Sequence, residues 1–127
     1  MKYVALEQIL KTHAVLLERY GGSTGIRDEG LLRAAVDRPR TTVGGKGAYP
    51  KLHDKAAALF HSLLFNHAFV DGNKRIAFAA CHLTLLLNGW EIKVGSQEIY
   101  DFMIEAIREH YDWKRISAQL KKWSVKI

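Results

Sequence analysis

Residues 54–88 read DKAAALFHSLLFNHAFVDGNKRIAFAACHLTLLLN and contain two apolar segments separated by a polar stretch. Asp54 is a suitable N-cap for a helix that runs to about Phe65, and a second helix is predicted from about Asn73 to Asn88. Both helices are apolar on most of their faces, which is typical of helices in a protein interior. We expect the first of them to be the buried central helix of the fold.

The flanking sequence predicts four more helices, because apolar residues recur in it at helical spacing. They extend from about Leu6 to Tyr20, from an N-cap at Asp28 to Val36, from an N-cap at Ser96 to Ile107, and from Asp112 to about Trp123. Glycines follow the first of these helices, and a proline follows the second, so both have ordinary helix ends.

Two further segments do not have a helical pattern. The glycine-rich stretch from Thr41 to Leu52 predicts a mobile loop or a short β-hairpin, and the stretch from Trp90 to Val94 predicts a short edge strand. The sequence therefore predicts a mainly all-α, compact bundle of about six helices with a short flap and an edge strand. Its 127 residues fit a single domain.

The composition is that of an ordinary globular protein, with 48% hydrophobic and 25% charged residues. No apolar run approaches the roughly 18 residues that span a bilayer, so no membrane partner is expected. Glu7 interrupts the first apolar stretch, which argues against a signal peptide. The single cysteine, Cys81, cannot form an internal disulfide, which suits the cytoplasm. The net charge of +6 favours an acidic partner.

The nine residues from His67 to Arg75, HAFVDGNKR, place ionisable and amide side chains between the two most apolar parts of the chain. Polar groups are costly to bury unless they are paired or face a cleft. A polar loop between two core helices is therefore a candidate functional site.

The second half of this loop has the features of a phosphate site. Gly72 has no side chain, so a ligand can approach the backbone closely. Asn73 and Lys74 begin the next helix, whose first N–H groups have no acceptor within the helix and favour anions. Lys74 adds a point charge, and Arg75 adds a planar guanidinium that matches phosphate oxygens.

The first half of the loop supplies a carboxylate and an imidazole. Asp71 is placed where its carboxylate can hold Mg²⁺, an ion that usually shares one or two carboxylates with nucleotide phosphates. His67 lies at the C-terminal end of the preceding helix, which favours a cation and makes the imidazole a stronger base. A base beside a phosphate cradle and a metal carboxylate indicates phosphoryl transfer.

Each of these residues also has a purely structural interpretation. A lone histidine is more often a core residue than a functional one, and Asp71 can be the N-cap of the next helix. Lys74 and Arg75 can be solvated charges, although cations near a helix N-terminus are unfavourable without an anion. Phe69 is expected in the core under either interpretation.

The loop resembles the signature loop of the Fic/Doc superfamily, whose usual form is His-Pro-Phe-x-Asp/Glu-Gly-Asn-Gly-Arg. This sequence has Ala68 in place of the proline, Lys74 in place of the second glycine, and Phe78 where Fic enzymes have a second arginine. The lysine is typical of the death-on-curing (Doc) branch, and residues 19–39 also resemble that branch. The resemblance extends over essentially the whole chain.

The resemblance implies a role for each residue of the loop. His67 is then the base that accepts the proton of a target hydroxyl, Phe69 anchors the loop, Asp71 binds Mg²⁺, and Gly72, Asn73, Lys74 and Arg75 bind the phosphates of ATP. Doc toxins transfer the γ-phosphate of ATP to a threonine of elongation factor Tu and thereby stop translation. The alternatives are AMP transfer to a protein hydroxyl, as in Fic enzymes, and a non-enzymatic binding module.

The resemblance also implies an antitoxin partner with a disordered acidic or amphipathic tail that folds on binding. Six Lys and Arg residues stand against two Asp and Glu residues between Arg108 and Ile127, so this region is the candidate docking site for such a tail. An ordinary solvated helix face is the structural alternative. Direct binding of nucleic acid is not expected, because the tryptophans fit the core better than a stacking surface.

Overall fold

The computed structural model describes every residue from Met1 to Ile127 and contains six α-helices. They are α1 (Leu6–Tyr20), α2 (Glu29–Asp37), α3 (Leu52–Asn66), α4 (Asn73–Leu87), α5 (Ser96–Glu109) and α6 (Trp113–Trp123). A 3₁₀ turn (Arg38–Arg40) follows α2. The mainly all-α fold predicted from the sequence is thus confirmed. None of the six helices combines the length and the apolar character that crossing a bilayer requires.

Two small antiparallel sheets accompany the helices. Strands β1 (Thr42–Val43) and β2 (Lys46–Gly47) form the predicted hairpin. Strand β3 (Trp90–Ile92) is shorter than the predicted strand, and it pairs with β4 (Ser124–Lys126) at the end of the chain. The sequence did not predict β4, because this strand forms by pairing with the distant β3, and local patterns do not specify such a pairing.

Helix α3 is the centre of the core, as the apolar sequence of this segment predicts. It packs against α4, α6 and the 3₁₀ turn, and ten of its fifteen residues are buried. Ala56, Ala57 and Ala58 are completely buried, so the middle of the helix has little side-chain bulk and can pack on more than one side. The loop of interest therefore begins and ends on well-anchored helices.

Two helices begin differently from the prediction. Asp54 is not the N-cap of α3: Lys51 is the N-cap, and its N–H donates to Asp54 Oδ2 at 3.3 Å. The other carboxylate oxygen of Asp54 accepts the buried hydroxyl of Ser117 at 2.7 Å, which ties α3 to α6. Helix α5 has Gly95 at its N-cap, and Ser96 is its first residue, without a side-chain capping bond.

The predicted caps of α2 and α6 are correct. Asp28 Oδ1 accepts the N–H of Leu31 at 2.9 Å, and Asp112 Oδ1 accepts the N–H of Arg115 at the same distance. Such side-chain bonds satisfy N–H groups that have no acceptor inside the helix.

Arg38 ties the β1–β2 hairpin to α3. Its Nε–H donates to the hydroxyl of Tyr49 at 2.7 Å, and its Nη1 donates to His61 Nδ1 at 2.8 Å and to Ser62 Oγ at 3.0 Å. Burial and the adjacent guanidinium lower the pKa of His61. The hairpin strands themselves are exposed, so the base of the hairpin is held to the core by this polar cluster together with the edge-on contact of Tyr49 with Trp113.

Candidate active site

The loop between α3 and α4 begins at His67, which is the C-cap residue of α3. Its backbone is left-handed, with φ 50° and ψ 50°, and its side chain is exposed. Ala68 and Phe69, which follow, are completely buried or nearly so. The prediction that Phe69 anchors the loop in the core is confirmed, and His67 is held at the surface rather than packed inside.

An earlier part of the chain pairs with the loop and fixes its path. The N–H groups of Arg27 and Asp28 donate to the carbonyl of Ala68 at 2.8 and 3.0 Å, and the N–H of Val70 donates to the carbonyl of Gly25 at 3.0 Å. The backbone polar groups of a buried turn need hydrogen-bond partners, and these groups have none within a helix or a sheet. The bonds to residues 25–28 supply those partners.

The side chain of Arg27 covers the C-terminus of α3. Its Nη2 donates to the carbonyl of Asn66 at 2.7 Å, and its Nε donates to the carbonyl of His67. The last carbonyls of a helix have no intrahelical donor and carry partial negative charge, so a guanidinium is a favourable partner. The sequence interpretation did not single out Arg27, because an arginine just before an N-cap aspartate gives no signal of this role.

Asp71 presents an ionised carboxylate at the surface. Oδ2 accepts the N–H of Ser23 at 3.1 Å, and Oδ1 accepts the N–H of Gly72 at 2.8 Å. These two backbone bonds, that of Ser23 first, lower the pKa of Asp71 below its ordinary value. Gly22 lies against this carboxylate, since a Cβ at Gly22 would be only 2.8 Å from Oδ2. Asp71 precedes the cap position of α4, which is occupied by Gly72, so the interpretation of Asp71 as the N-cap is wrong.

The beginning of α4 has free N–H groups. Gly72 adopts φ 77° and ψ 19°, a left-handed conformation that glycine tolerates best. The first intrahelical bond at this end runs from the N–H of Ile76 to the carbonyl of Gly72. The N–H groups of Asn73, Lys74 and Arg75 have no acceptor in the protein, so they are available to an anion.

The side chain of Asn73 is used inside the loop. Its Oδ1 accepts the N–H of Phe69 at 3.1 Å, and its Nδ2 donates to the carbonyl of Phe69 at 3.0 Å. The amide of Asn73 is thus committed to holding the loop, whereas its backbone N–H has no acceptor and is free for a ligand. The side chain stabilises the turn that brings His67 and the start of α4 to the same side.

Lys74 and Arg75 are exposed, and neither forms an ion pair with a carboxylate. Arg75 lies over the ring of Tyr20, with its guanidinium carbon 4.7 Å from the ring centroid. Two unpaired cations at the N-terminus of a helix oppose the helix dipole. An anion bound between these cations and the free N–H groups would remove this repulsion.

All the predicted site residues line one cleft of about 420 Å³. His67 and residues 70–75 form its polar side, and Leu64, Tyr100, Met103 and Ile107 form an apolar wall from α3 and α5. A larger groove of about 660 Å³ lies between α5 and α6, but none of the loop residues line it. Of these two cavities, the smaller one is the candidate active site, because it combines an imidazole, a carboxylate and free N–H groups.

The side chains around Asp71 fit a metal ion that is held jointly by the protein and by substrate phosphates. They do not fit a metal ion that is coordinated by protein side chains alone. Asp71 is the only carboxylate that lines the cleft, and no group of three or more His, Cys, Asp or Glu side chains lies together anywhere in the protein. Mg²⁺ commonly takes one or two carboxylates and completes its octahedron with waters and substrate phosphates. A single exposed, ionised carboxylate beside an anion site meets that requirement.

Phe78 occupies the place of the second arginine of the signature. Its side chain is half-buried, and its ring centroid lies 5.6 Å from that of His82. The cleft therefore has Lys74 and Arg75 as its cations and no guanidinium from the next turn of α4.

His13 was missed by the sequence interpretation as a site residue. It is buried on α1, its Nε2 lies 2.8 Å from the carbonyl oxygen of Asp71, and its ring stacks on Phe69. The available signal was its position on the apolar face of α1, since a buried imidazole needs a polar partner.

The loop that lines the cleft lies within a segment of the chain that matches a known family. The model of the Fic/DOC family matches residues 3–85, and the chain therefore belongs to the Fic/DOC family. A protein named Toxin Doc, from Mycolicibacterium smegmatis, is 43% identical over 121 residues, which cover 94% of this chain and 91% of that protein. Protein kinase doc, from Escherichia phage P1, is 29% identical over 109 residues, which cover 84% of this chain and 82% of its own length.

Proposed function

We propose that this protein is a toxin that acts as an ATP-dependent protein kinase, and that it transfers the γ-phosphate of ATP to a threonine hydroxyl of elongation factor Tu. Translation then stops in the cytoplasm. The similarity to Toxin Doc and to Protein kinase doc supports this assignment at the level of a toxin and a phosphotransferase. The identity of the target rests on the resemblance to the Doc branch.

The observation that carries the proposal is the set of three unpaired N–H groups at the start of α4. They lie beside Lys74 and Arg75, in the same cleft as His67 and Asp71. Donors that are already in place for a developing negative charge are the main requirement of phosphoryl transfer, which needs positioning and electrostatic stabilisation more than covalent chemistry.

The proposed reaction begins with the target hydroxyl beside His67. The hydroxyl oxygen attacks the γ-phosphorus of ATP while the imidazole of His67 accepts the hydroxyl proton. The bond between the γ-phosphorus and the bridging oxygen breaks, and ADP leaves with that electron pair. Residues Asn73, Lys74 and Arg75 hold the phosphate oxygens. When Mg²⁺ is bound at Asp71, it neutralises phosphate charge.

Lys74 and Phe78 favour transfer of the terminal phosphate over AMP transfer. A glycine at position 74 leaves room for the α-phosphate and the rest of the nucleotide, whereas a lysine fills that room and adds charge for a terminal phosphate. The missing guanidinium at position 78 removes a second cation that would hold a nucleotide in the AMP-transfer pose. The apolar wall of the cleft then faces the protein substrate.

A paired-label experiment tests the reaction. The protein is incubated with purified elongation factor Tu, Mg²⁺ and ATP labelled at either the α- or the γ-phosphate. We expect label on the target from γ-labelled ATP only, and His67→Ala to reduce the rate by about 10²–10⁴-fold. His110→Ala, an exposed histidine at the end of α5, is the matched control and retains the wild-type rate. Label from α-labelled ATP alone would instead establish AMP transfer.

Growth inhibition separates an enzyme from a binding module. If the toxicity of the protein depends on phosphoryl transfer, expression of His67→Ala leaves growth normal at the same protein level. If His67→Ala inhibits growth as strongly as the wild type does, toxicity arises from binding alone and the kinase proposal fails as its explanation.

We further propose that an antitoxin with an acidic tail docks against the basic C-terminal region. Lys121 and Lys122 are exposed in the last turn of α6 and have no acidic partner. Reversal of both charges to Glu is expected to weaken antitoxin binding, most clearly at low salt. Lys2 and Lys11, exposed at the other end of the chain, provide a matched double reversal. Equal affinities of the two double variants would exclude this docking site.

A further inference from the structure

His13 contacts three residues of the candidate active-site loop. Its ring stacks on Phe69, with centroids 3.8 Å apart and planes inclined by 16°. Its Nε2 lies 2.8 Å from the carbonyl oxygen of Asp71. The same nitrogen would lie 3.4 Å from a Cβ at Gly72, so the glycine backbone is close to it as well. Only 5% of the His13 surface is exposed, and the ring therefore fills the space between α1 and the loop.

The hydrogen-bond partner of His13 determines which of its ring nitrogens is protonated. A carbonyl oxygen only accepts hydrogen bonds, so Nε2 of His13 must have a hydrogen and donate it to Asp71. A phenylalanine or leucine at this position would leave the Asp71 carbonyl without that donor. The stack on Phe69 and the hydrogen bond to Asp71 are thus separate contributions of one side chain.

The hydrogen bond from His13 fixes the plane of one peptide bond. The carbonyl of Asp71 and the N–H of Gly72 belong to the same planar peptide group. His13 holds the carbonyl end, and the N–H end donates to Asp71 Oδ1 at 2.8 Å. Rotation of this plane would release both bonds, and it would change the left-handed conformation of Gly72 at the start of α4.

We propose that His13 is a positioning residue for the active site: it holds the Asp71–Gly72 peptide so that the Asp71 carboxylate and the first N–H groups of α4 face the cleft together. The proposal rests on the proposed function in one respect, namely that this carboxylate and these N–H groups bind a magnesium nucleotide. Residues that orient a metal-binding group in this way typically affect metal affinity or activity by about 10–100-fold.

Two substitutions separate the hydrogen bond from the aromatic stack. His13→Phe keeps a ring on Phe69 and removes the donor, whereas His13→Gln places an amide N–H near the position of Nε2. We expect His13→Phe to accelerate hydrogen exchange of the Gly72 N–H and to weaken the binding of magnesium ADP by about 10–100-fold. His13→Gln should recover most of both losses.

A control and a direct measurement make the test specific. His82→Leu alters another half-buried histidine, which accepts the N–H of Ile92 away from the cleft, and it should leave magnesium ADP affinity unchanged. Nitrogen NMR of the wild type should report a protonated Nε2 at His13. An unprotonated Nε2, or wild-type exchange and affinity in His13→Phe, would overturn the proposal.

The readouts also distinguish this proposal from the proposed function. The nitrogen spectrum and the exchange of Gly72 need no nucleotide, so they decide the role of His13 even if the wild-type protein does not bind magnesium ADP. If the wild type transfers the γ-phosphate and His13→Phe does so equally well, the positioning role alone is wrong.

Discussion

The side-chain amide of Asn73 bonds to both backbone polar groups of Phe69, accepting its N–H at 3.1 Å and donating to its carbonyl at 3.0 Å. This pair closes the turn between the buried anchor of the loop and the first helical residue of α4. The relative geometry of the two ends of the loop therefore depends on the side-chain amide of Asn73. Asparagine is the one short side chain that donates and accepts hydrogen bonds through separate atoms of a planar group.

Asn73→Asp should destabilise the protein and slow phosphoryl transfer. A carboxylate accepts the Phe69 N–H but offers no donor to its carbonyl, and the two oxygens then repel each other. We expect the free energy of unfolding to fall by about 1–3 kcal/mol, as for other buried groups left without a partner. Urea unfolding measures the change, and an Asn73→Asp variant as stable and as active as the wild type would contradict it.

Gly22→Ala should weaken the binding of magnesium ADP through Asp71. The added Cβ would lie 2.8 Å from Asp71 Oδ2 and 2.9 Å from Leu17 Cδ2, at a backbone φ of +123°. Gly21→Ala is the matched control, because Gly21 also has a positive φ but a Cβ there would meet no atom within 4 Å. Both variants should lose about 1–3 kcal/mol of stability from backbone strain. Only Gly22→Ala should lose nucleotide affinity, which isothermal titration calorimetry measures.

Arg27→Met should lower both stability and the rate of phosphoryl transfer. The substitution keeps the apolar stem and removes the donors to the carbonyls of Asn66 and His67. Hydrogen bonds to charged groups contribute about 1.5–3 kcal/mol, and the left-handed backbone of His67 loses its partner. Arg33→Met removes an exposed ion pair with Glu29 and should cost only about 0.3–0.5 kcal/mol. Equal effects of the two substitutions on the rate would exclude a role for Arg27 at His67.

His61 should make the protein less stable in mild acid. Burial, and then Arg38, lower the pKa of His61 in the folded state, so the unfolded state binds more protons as the pH falls below about 6.5. Stability is therefore complete above that value and is lost as the pH decreases toward the lowered pKa. His61→Asn keeps an acceptor for Arg38 and does not titrate, so its unfolding free energy should depend less on pH. Identical pH profiles for the two proteins would contradict this account.

The sequence was sufficient to predict the six helices and a polar loop whose residues line one cleft. The helices follow from apolar residues at helical spacing, and α1 has the predicted bounds, Leu6–Tyr20. The site follows from a polar loop between two apolar helices. His67 and Asp71 line the same cleft as Lys74 and Arg75, as their proximity along the chain suggests.

The contacts that shape the site were not predictable, because they join distant parts of the chain. His13 is 58 residues from Asp71, and Arg27 is 40 residues from His67. Local patterns do not specify such pairs. Asp54 shows the same limit: its position suggested a helix cap, but the folded chain places it inside α3, where it also accepts a hydrogen bond from α6.

The N-terminal segment around α1 determines whether the site exists at all. His13 and Ser23 both precede α2, and they hold Asp71, which lies just before α4. If α1 detaches while α3, α4 and α6 remain packed, the carboxylate and the adjacent peptide lose their supports although the core persists. The order of synthesis imposes the same dependence, since His13 and Ser23 leave the ribosome before Asp71 and can hold it only once the start of α4 has followed.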